Sequence, residues 1–252
     1  MTNFLEMLIN KYKKMSAPVK AAFWFTVCNF LQRGISMITT PIFTRLLSTK
    51  DYGLYSTYLS WETVLLMLVT LSLYKAIMNL YVKYENQEVI LANICGLELI
   101  LSLLWAVVGY VFRKEIGQLL GLSTVLVGCL FITFIFQSVF QCWSLYKRYV
   151  YDYKTLISVT LLSTVGSAVL GVIAVCFVDA TAEARAVSNT IIVAFIGLIL
   201  YISVFRKGKA FYDRKVWGFA LGFCIPLMPH YLSEFVFCFC LYMFKVGPYM
   251  MA

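Results

Sequence analysis

Seven apolar stretches, each about twenty residues or longer and so long enough to cross a bilayer, leave this chain almost no room for a soluble domain. They run over roughly 20–44, 56–81, 89–112, 118–144, 155–178, 186–205 and 216–244. The sequence therefore predicts an all-α, polytopic transmembrane helix bundle of about seven spans. Composition agrees, because 62% of the 252 residues are hydrophobic and 13% charged, against about half and a quarter in soluble domains. The first apolar run is too long, and too interrupted by polar residues, to be a cleaved signal core.

Charge fixes the expected orientation. Lys11, Lys13, Lys14, Lys20, Lys83, Lys147, Arg148, Lys154, Arg206, Lys207, Lys209, Arg214 and Lys215 fall on one side of the seven-span arrangement. Arg45, Lys50, Arg113, Lys114 and Arg185 fall on the other. The positive-inside rule then places the N-terminus in the cytoplasm. Residues 1–19 form a cytoplasmic segment that pairs Phe4, Leu5, Leu8 and Ile9 with a cluster of lysines, as in an amphipathic surface helix. Residues 20–205 make a six-helix bundle, 206–215 a basic cytoplasmic loop, and 216–252 the seventh helix with a short C-terminus. The net charge of +9 sits in short loops, where topology and anionic headgroups account for it, so nucleic acid is not a partner. Eight cysteines without a CxxC pair, and one histidine, offer neither a disulfide framework nor a metal site. No cofactor is implied.

Polar residues inside the apolar runs carry the functional expectations, since ionisable groups in a membrane span usually face a bundle interior or a cavity. Asn29, Arg33, Ser36 and Thr40 share one face of the first helix, and Thr133, Gln137, Gln141 and Ser144 share one face of the fourth. Glu62 and Lys75 in the second helix are thirteen residues apart, which at about 100° per residue points them to different faces. Lys75 is placed to snorkel toward headgroups, Glu62 to face a cavity. Glu98, about 13 Å into the third helix, overlaps in depth with Arg33 at about 18 Å, which allows an ion pair between them. Thr160, Thr164, Ser167 and Gly171 form a small-residue face suited to close packing. In the seventh helix Pro226 and Pro229, followed by His230 and Glu234, predict a break or hinge near mid-membrane. Glu98, His230 and Glu234 are candidates for binding a coupling ion.

The run TTPIFTRLLSTKDYGLYSTYLS, with Pro41, Arg45, Leu46, Leu47, Asp51, Tyr52, Gly53, Leu54 and Tyr55, resembles the first outer turn of the polysaccharide and O-antigen flippases. These belong to the multidrug, oligosaccharidyl-lipid and polysaccharide exporter superfamily. The stretch GFCIPLMPHYLSEF is similar to the opening of that family's second half. The resemblance implies two six-helix halves around a central cavity, with this chain supplying the first half and a seventh helix. It ends after Phe235, an ending that fits a shortened protein or an interrupted gene.

It implies a non-enzymatic transporter that moves polyprenyl-pyrophosphate-linked oligosaccharide across the bacterial inner membrane for polysaccharide or O-antigen biosynthesis. Asn29, Arg33, Ser36, Thr40, Glu62, Lys75, Glu98, Gln137 and Gln141 would be its cavity residues, and Pro226 and Pro229 its hinge. Its partners would be membrane lipid, the lipid-linked oligosaccharide, and a second copy of the chain or polysaccharide-assembly proteins, because one half alone encloses no cavity. The alternatives are a drug or cation exporter of the same superfamily, a non-transporting remnant, and a membrane transferase. The transferase lacks a loop cluster of acid, base or nucleophile.

Overall fold

The computed structural model describes residues 16–250, with side chains through 231 and at 233. The expected amphipathic segment lies outside it except for its last four residues. Nine α-helices and one 3-10 turn follow in order among the described residues: α1 Ala17–Leu46, α2 Thr49–Thr70, the 3-10 turn Leu73–Ala76, α3 Ile77–Lys83, α4 Gln87–Val111, α5 Arg113–Leu120, α6 Thr124–Tyr149, α7 Tyr153–Phe177, α8 Ala182–Gly208 and α9 Arg214–Met250. The chain folds as the all-α bundle that its hydrophobic runs predict. Helices α4, α6, α7 and α8 are each long and apolar enough to cross a membrane, and α2 with the 3-10 turn and α3 makes a fifth, bent span. Helix α1, at 30 residues, falls short on composition because Asn29, Gln32 and Arg33 dilute its apolar run.

Helix starts follow side-chain capping. Ser48, Ser123, Asp152 and Thr181 each accept a hydrogen bond from the backbone N–H three residues on, which satisfies a donor that the first turn leaves unpaired. The fourth apolar stretch begins later than its composition suggests, at Thr124. Polar Arg113–Leu120 makes the separate helix α5, which ends on Gly121 in the left-handed region at φ 66°.

Helices α4, α6 and α8 pack against one another at the centre. Helix α7 covers α8, α1 lies on α7, α2 leans on α6, and α9 covers α4 and the 3-10 turn. The α6–α8 seam is polar as well as close, for Thr133 and Thr190 share a hydroxyl bond of 3.2 Å, and Ser138 meets the Tyr201 hydroxyl at 3.0 Å. The small-residue face of α7 packs as expected: Thr164 accepts from the Gln32 amide of α1 at 3.4 Å.

At one end of the bundle the YKRYVYDYK segment closes on itself through Lys147 donating to Asp152 at 2.6 Å, and Tyr81 and Tyr149 pack with ring centroids 4.8 Å apart. At the other end Asp51 joins α2 to α8. Its backbone N–H donates to the Ser48 hydroxyl at 3.1 Å, and its carboxylate accepts from the Ser48 hydroxyl and from the Ala182 N–H, the latter at 3.3 Å.

These donors hold the Asp51 carboxyl below its ordinary pKa, the Ser48 hydroxyl first and the Ala182 N–H second. A depressed folded-state value means that the stabilisation is present above the unfolded value, about 3.9, and is lost as pH falls through the folded one. We expect Asp51→Asn to cost at most about 1 kcal/mol at neutral pH. It should also flatten the acid limb of the thermal-stability profile of the purified protein. An acid limb identical to wild type would show that the loop end does not depend on this carboxylate.

Candidate functional site

The second apolar run does not form one straight helix. Leu71 and Ser72 both take left-handed backbone conformations at φ 51°, which cost a non-glycine residue about 1–2 kcal/mol each, and the axis turns by 53° between α2 and the segment beyond. The break is built, not frayed. The Leu71 N–H donates to Leu68 O at 3.4 Å, and the Lys75 N–H to Ser72 O at 3.0 Å. The Tyr74 N–H, left without a helical acceptor, donates to Glu98 Oε1 at 3.0 Å. The Ser72 carbonyl accepts from the Cys224 thiol of α9 at 3.8 Å. Glu98 is fully buried and its second oxygen accepts from the Cys142 thiol at 3.2 Å.

This break changes what the helix can face. Glu62 and Lys75, expected to point apart on a straight helix, instead line one cavity of about 370 Å³ with Thr63, Leu66, Met67, Ser72, Tyr74, and Gln137 and Gln141 of α6. Glu62 Oε2 and Gln141 Oε1 are buried there without a hydrogen-bond partner. An unpaired buried acceptor costs about 1–3 kcal/mol, so the cavity is set up to receive donors. The Lys75 ammonium lies over the Tyr231 ring of α9, 3.2 Å from its centroid.

The α6 stripe divides for a geometric reason. Residues four apart drift by about 40° per step, so Thr133 turns to Thr190 of α8 while Gln137 and Gln141 reach the cavity. The α1 stripe does not reach it. Asn29, Arg33, Ser36 and Thr40 are exposed, with the Ser36 and Thr40 hydroxyls bonded to carbonyls of their own helix, because α1 packs against α7. The expected Arg33–Glu98 ion pair is not formed: Arg33 is exposed, and the two Glu98 oxygens accept from the Tyr74 N–H at the break and from the Cys142 thiol of α6. Helix α9 is uninterrupted through Pro226 and Pro229, which are exposed along with His230. Proline removes one backbone donor, and here that loss leaves the helix continuous. The Glu234 side chain lies outside the described residues.

The buried cation among the described residues is Arg185, which the sequence places among the loop charges. It is 8% exposed, donates Nη1 to Ser167 O at 3.0 Å, and lies over the Phe43 and Tyr55 rings at 4.4 and 5.4 Å. Desolvated cations over aromatic faces gain about 2 kcal/mol or more. Gly171 makes the room, since a Cβ there would sit 2.5 Å from Nη1. Phe43, Asp51 and Tyr55 thus hold the start of α8, so the turn that carries the sequence resemblance is a docking point between two helical hairpins.

Residues 19–240, including the broken helix, its cavity and the Arg185 cage, match the polysaccharide biosynthesis protein family. The chain belongs to that family. The match runs past Phe235. Among curated proteins and solved structures nothing matches the chain. The polysaccharide biosynthesis family is generally transporter-like, and its long apolar helices make this member a multi-pass membrane protein. Among its described lining residues the cavity carries a carboxylate, an ammonium and two carboxamides, groups that bind polar partners.

Proposed function

We propose that the chain is a flippase component that moves polyprenyl-pyrophosphate-linked oligosaccharide across the bacterial inner membrane for surface polysaccharide or O-antigen synthesis, with its N-terminus in the cytoplasm. The observation that carries this reading is the α2–α6 cavity. Glu62, Lys75, Gln137 and Gln141 come together inside helices otherwise apolar enough to span a membrane, where polar groups persist only if something polar meets them. Sugar hydroxyls would meet them there, while the polyprenyl tail stays in lipid. Asn29, Arg33, Ser36 and Thr40 belong in this reading to a face of α1 covered by a second chain or a second copy, and membrane lipid surrounds the rest.

A cation exporter has one observation in its favour, the unpartnered Glu62 oxygen in the cavity. Lys75 in the same cavity offsets it.

Deleting the gene from its own host should abolish surface polysaccharide and leave lipid-linked oligosaccharide on the inner leaflet. The wild-type gene should restore export, and a Glu62→Ala, Gln141→Ala double variant present at normal membrane levels should not. Unaltered polysaccharide together with new sensitivity to cationic dyes would establish the exporter reading instead.

A further inference from the structure

We infer that the α2–α6 cavity is a subsite for one neutral or N-acylated pyranose ring and that it rejects acidic sugars. This rests on the flippase reading and adds to it the charge class of sugar accepted. The two oxygens without partners, Glu62 Oε2 and Gln141 Oε1, stand on different helices and line the same space. Gln141 Oε1 can only accept hydrogen bonds, and Glu62 Oε2 accepts in its ionised form, so an occupant that presents two donors satisfies both. Neighbouring hydroxyls of a sugar ring do so, and an ionised carboxylate has two oxygens able to accept from them. The Thr63 hydroxyl donates to Leu59 O at 3.0 Å, which leaves its lone pairs as a further acceptor at the rim.

Size narrows the occupant. Ligand cavities run from about 300 to 1,000 Å³, and this one, at about 370 Å³, holds a single ring and not a repeat unit of several sugars. Charge narrows it again. A uronic acid would bring a second carboxylate beside Glu62 and supply no donor from that group. The one ammonium among the described residues of the wall, Lys75, is held against the Tyr231 ring. A divalent cation is disfavoured by the ligand set, since Glu62 is the only carboxylate among the described lining residues and shares the cavity with an ammonium, whereas such ions gather several anionic oxygens.

The test uses the full chain in lipid nanodiscs carrying Thr63→Cys, a position that is exposed and lines the cavity. Maleimide modification at residue 63 is read by peptide mass spectrometry, which separates it from the native cysteines. N-acetylglucosamine and glucose should slow modification severalfold, while glucuronate and sodium chloride at equal concentration should not. Adding Glu62→Gln removes the charge and keeps the shape, so glucuronate should then protect. Gln141→Leu should weaken glucose protection and provides the check if Glu62→Gln does not fold.

Equal protection by glucose and glucuronate would overturn the inference, as would protection by sodium chloride alone or by none of the probes. The deletion phenotype is independent of these outcomes. Lost surface polysaccharide alongside indiscriminate protection would leave the flippase reading standing and remove the selectivity.

Discussion

Gly197→Val is expected to drive α8 off α6 and to lower the stability of the whole bundle. A Cβ at Gly197 would lie 2.6 Å from Phe136 Cβ and 2.9 Å from the Phe136 carbonyl oxygen, atoms at or beside the backbone that no rotamer change can withdraw. Overpacking in a well-filled core costs about 1–3 kcal/mol, and a contact that must move helix against helix belongs at the upper end or beyond. Separation would also stretch the Thr133–Thr190 and Ser138–Tyr201 bonds across the same seam. The fraction of detergent-purified protein that remains monodisperse after heating should fall sharply for Gly197→Val. Gly128→Val on α6 should remain close to wild type, because nothing lies within 4 Å of a Cβ there. Equal heat resistance of the two variants would show that α6 and α8 do not approach this closely.

The helices were legible because each owes its position to an apolar run and a capping residue, both local signals. Glu62, Gln137 and Gln141 were legible as cavity residues on the same basis, as polar groups inside apolar stretches. Gly197 sets the distance of α8 from α6; a glycine in an apolar helix shows what it touches only once the neighbour is placed. The break at Leu71–Ser72 gave no local sign, having neither glycine nor proline. What stabilises it is Glu98, 24 residues from the Tyr74 N–H that it caps. Conversely, Pro226 and Pro229 gave the strongest local sign of a break in a helix that stays continuous. The two arginines reverse for a related reason. Hydropathy marks Arg33 as buried because it sits mid-run and Arg185 as loop-bound because it sits near a run's end. Which one is enclosed depends on whether another helix brings aromatic rings to it, and Phe43 and Tyr55 come to Arg185.

Glu98→Ala should undo the break in α2 and carry Lys75 out of the cavity. Two effects oppose each other in the stability of this variant. Removing a carboxyl that is completely buried relieves its desolvation, which alone would stabilise the fold. Against that, the Tyr74 N–H loses its acceptor, at about 1–3 kcal/mol for a buried unpaired donor, and the left-handed Leu71 and Ser72 lose the bond that offset their cost. The chain can escape the second penalty by straightening, since a continuous helix would return the Tyr74 N–H to a backbone carbonyl four residues back. Straightening turns Lys75 away from Glu62, and leaving the donor unpaired loosens the same turn, so both routes remove Lys75 from its place over Tyr231. A Lys75→Cys reporter should therefore be modified at a clearly different rate when Glu98→Ala is added. Glu98→Gln should keep the wild-type rate, because its carbonyl oxygen can still accept from Tyr74. A reporter indifferent to both changes would show that the break stands without Glu98.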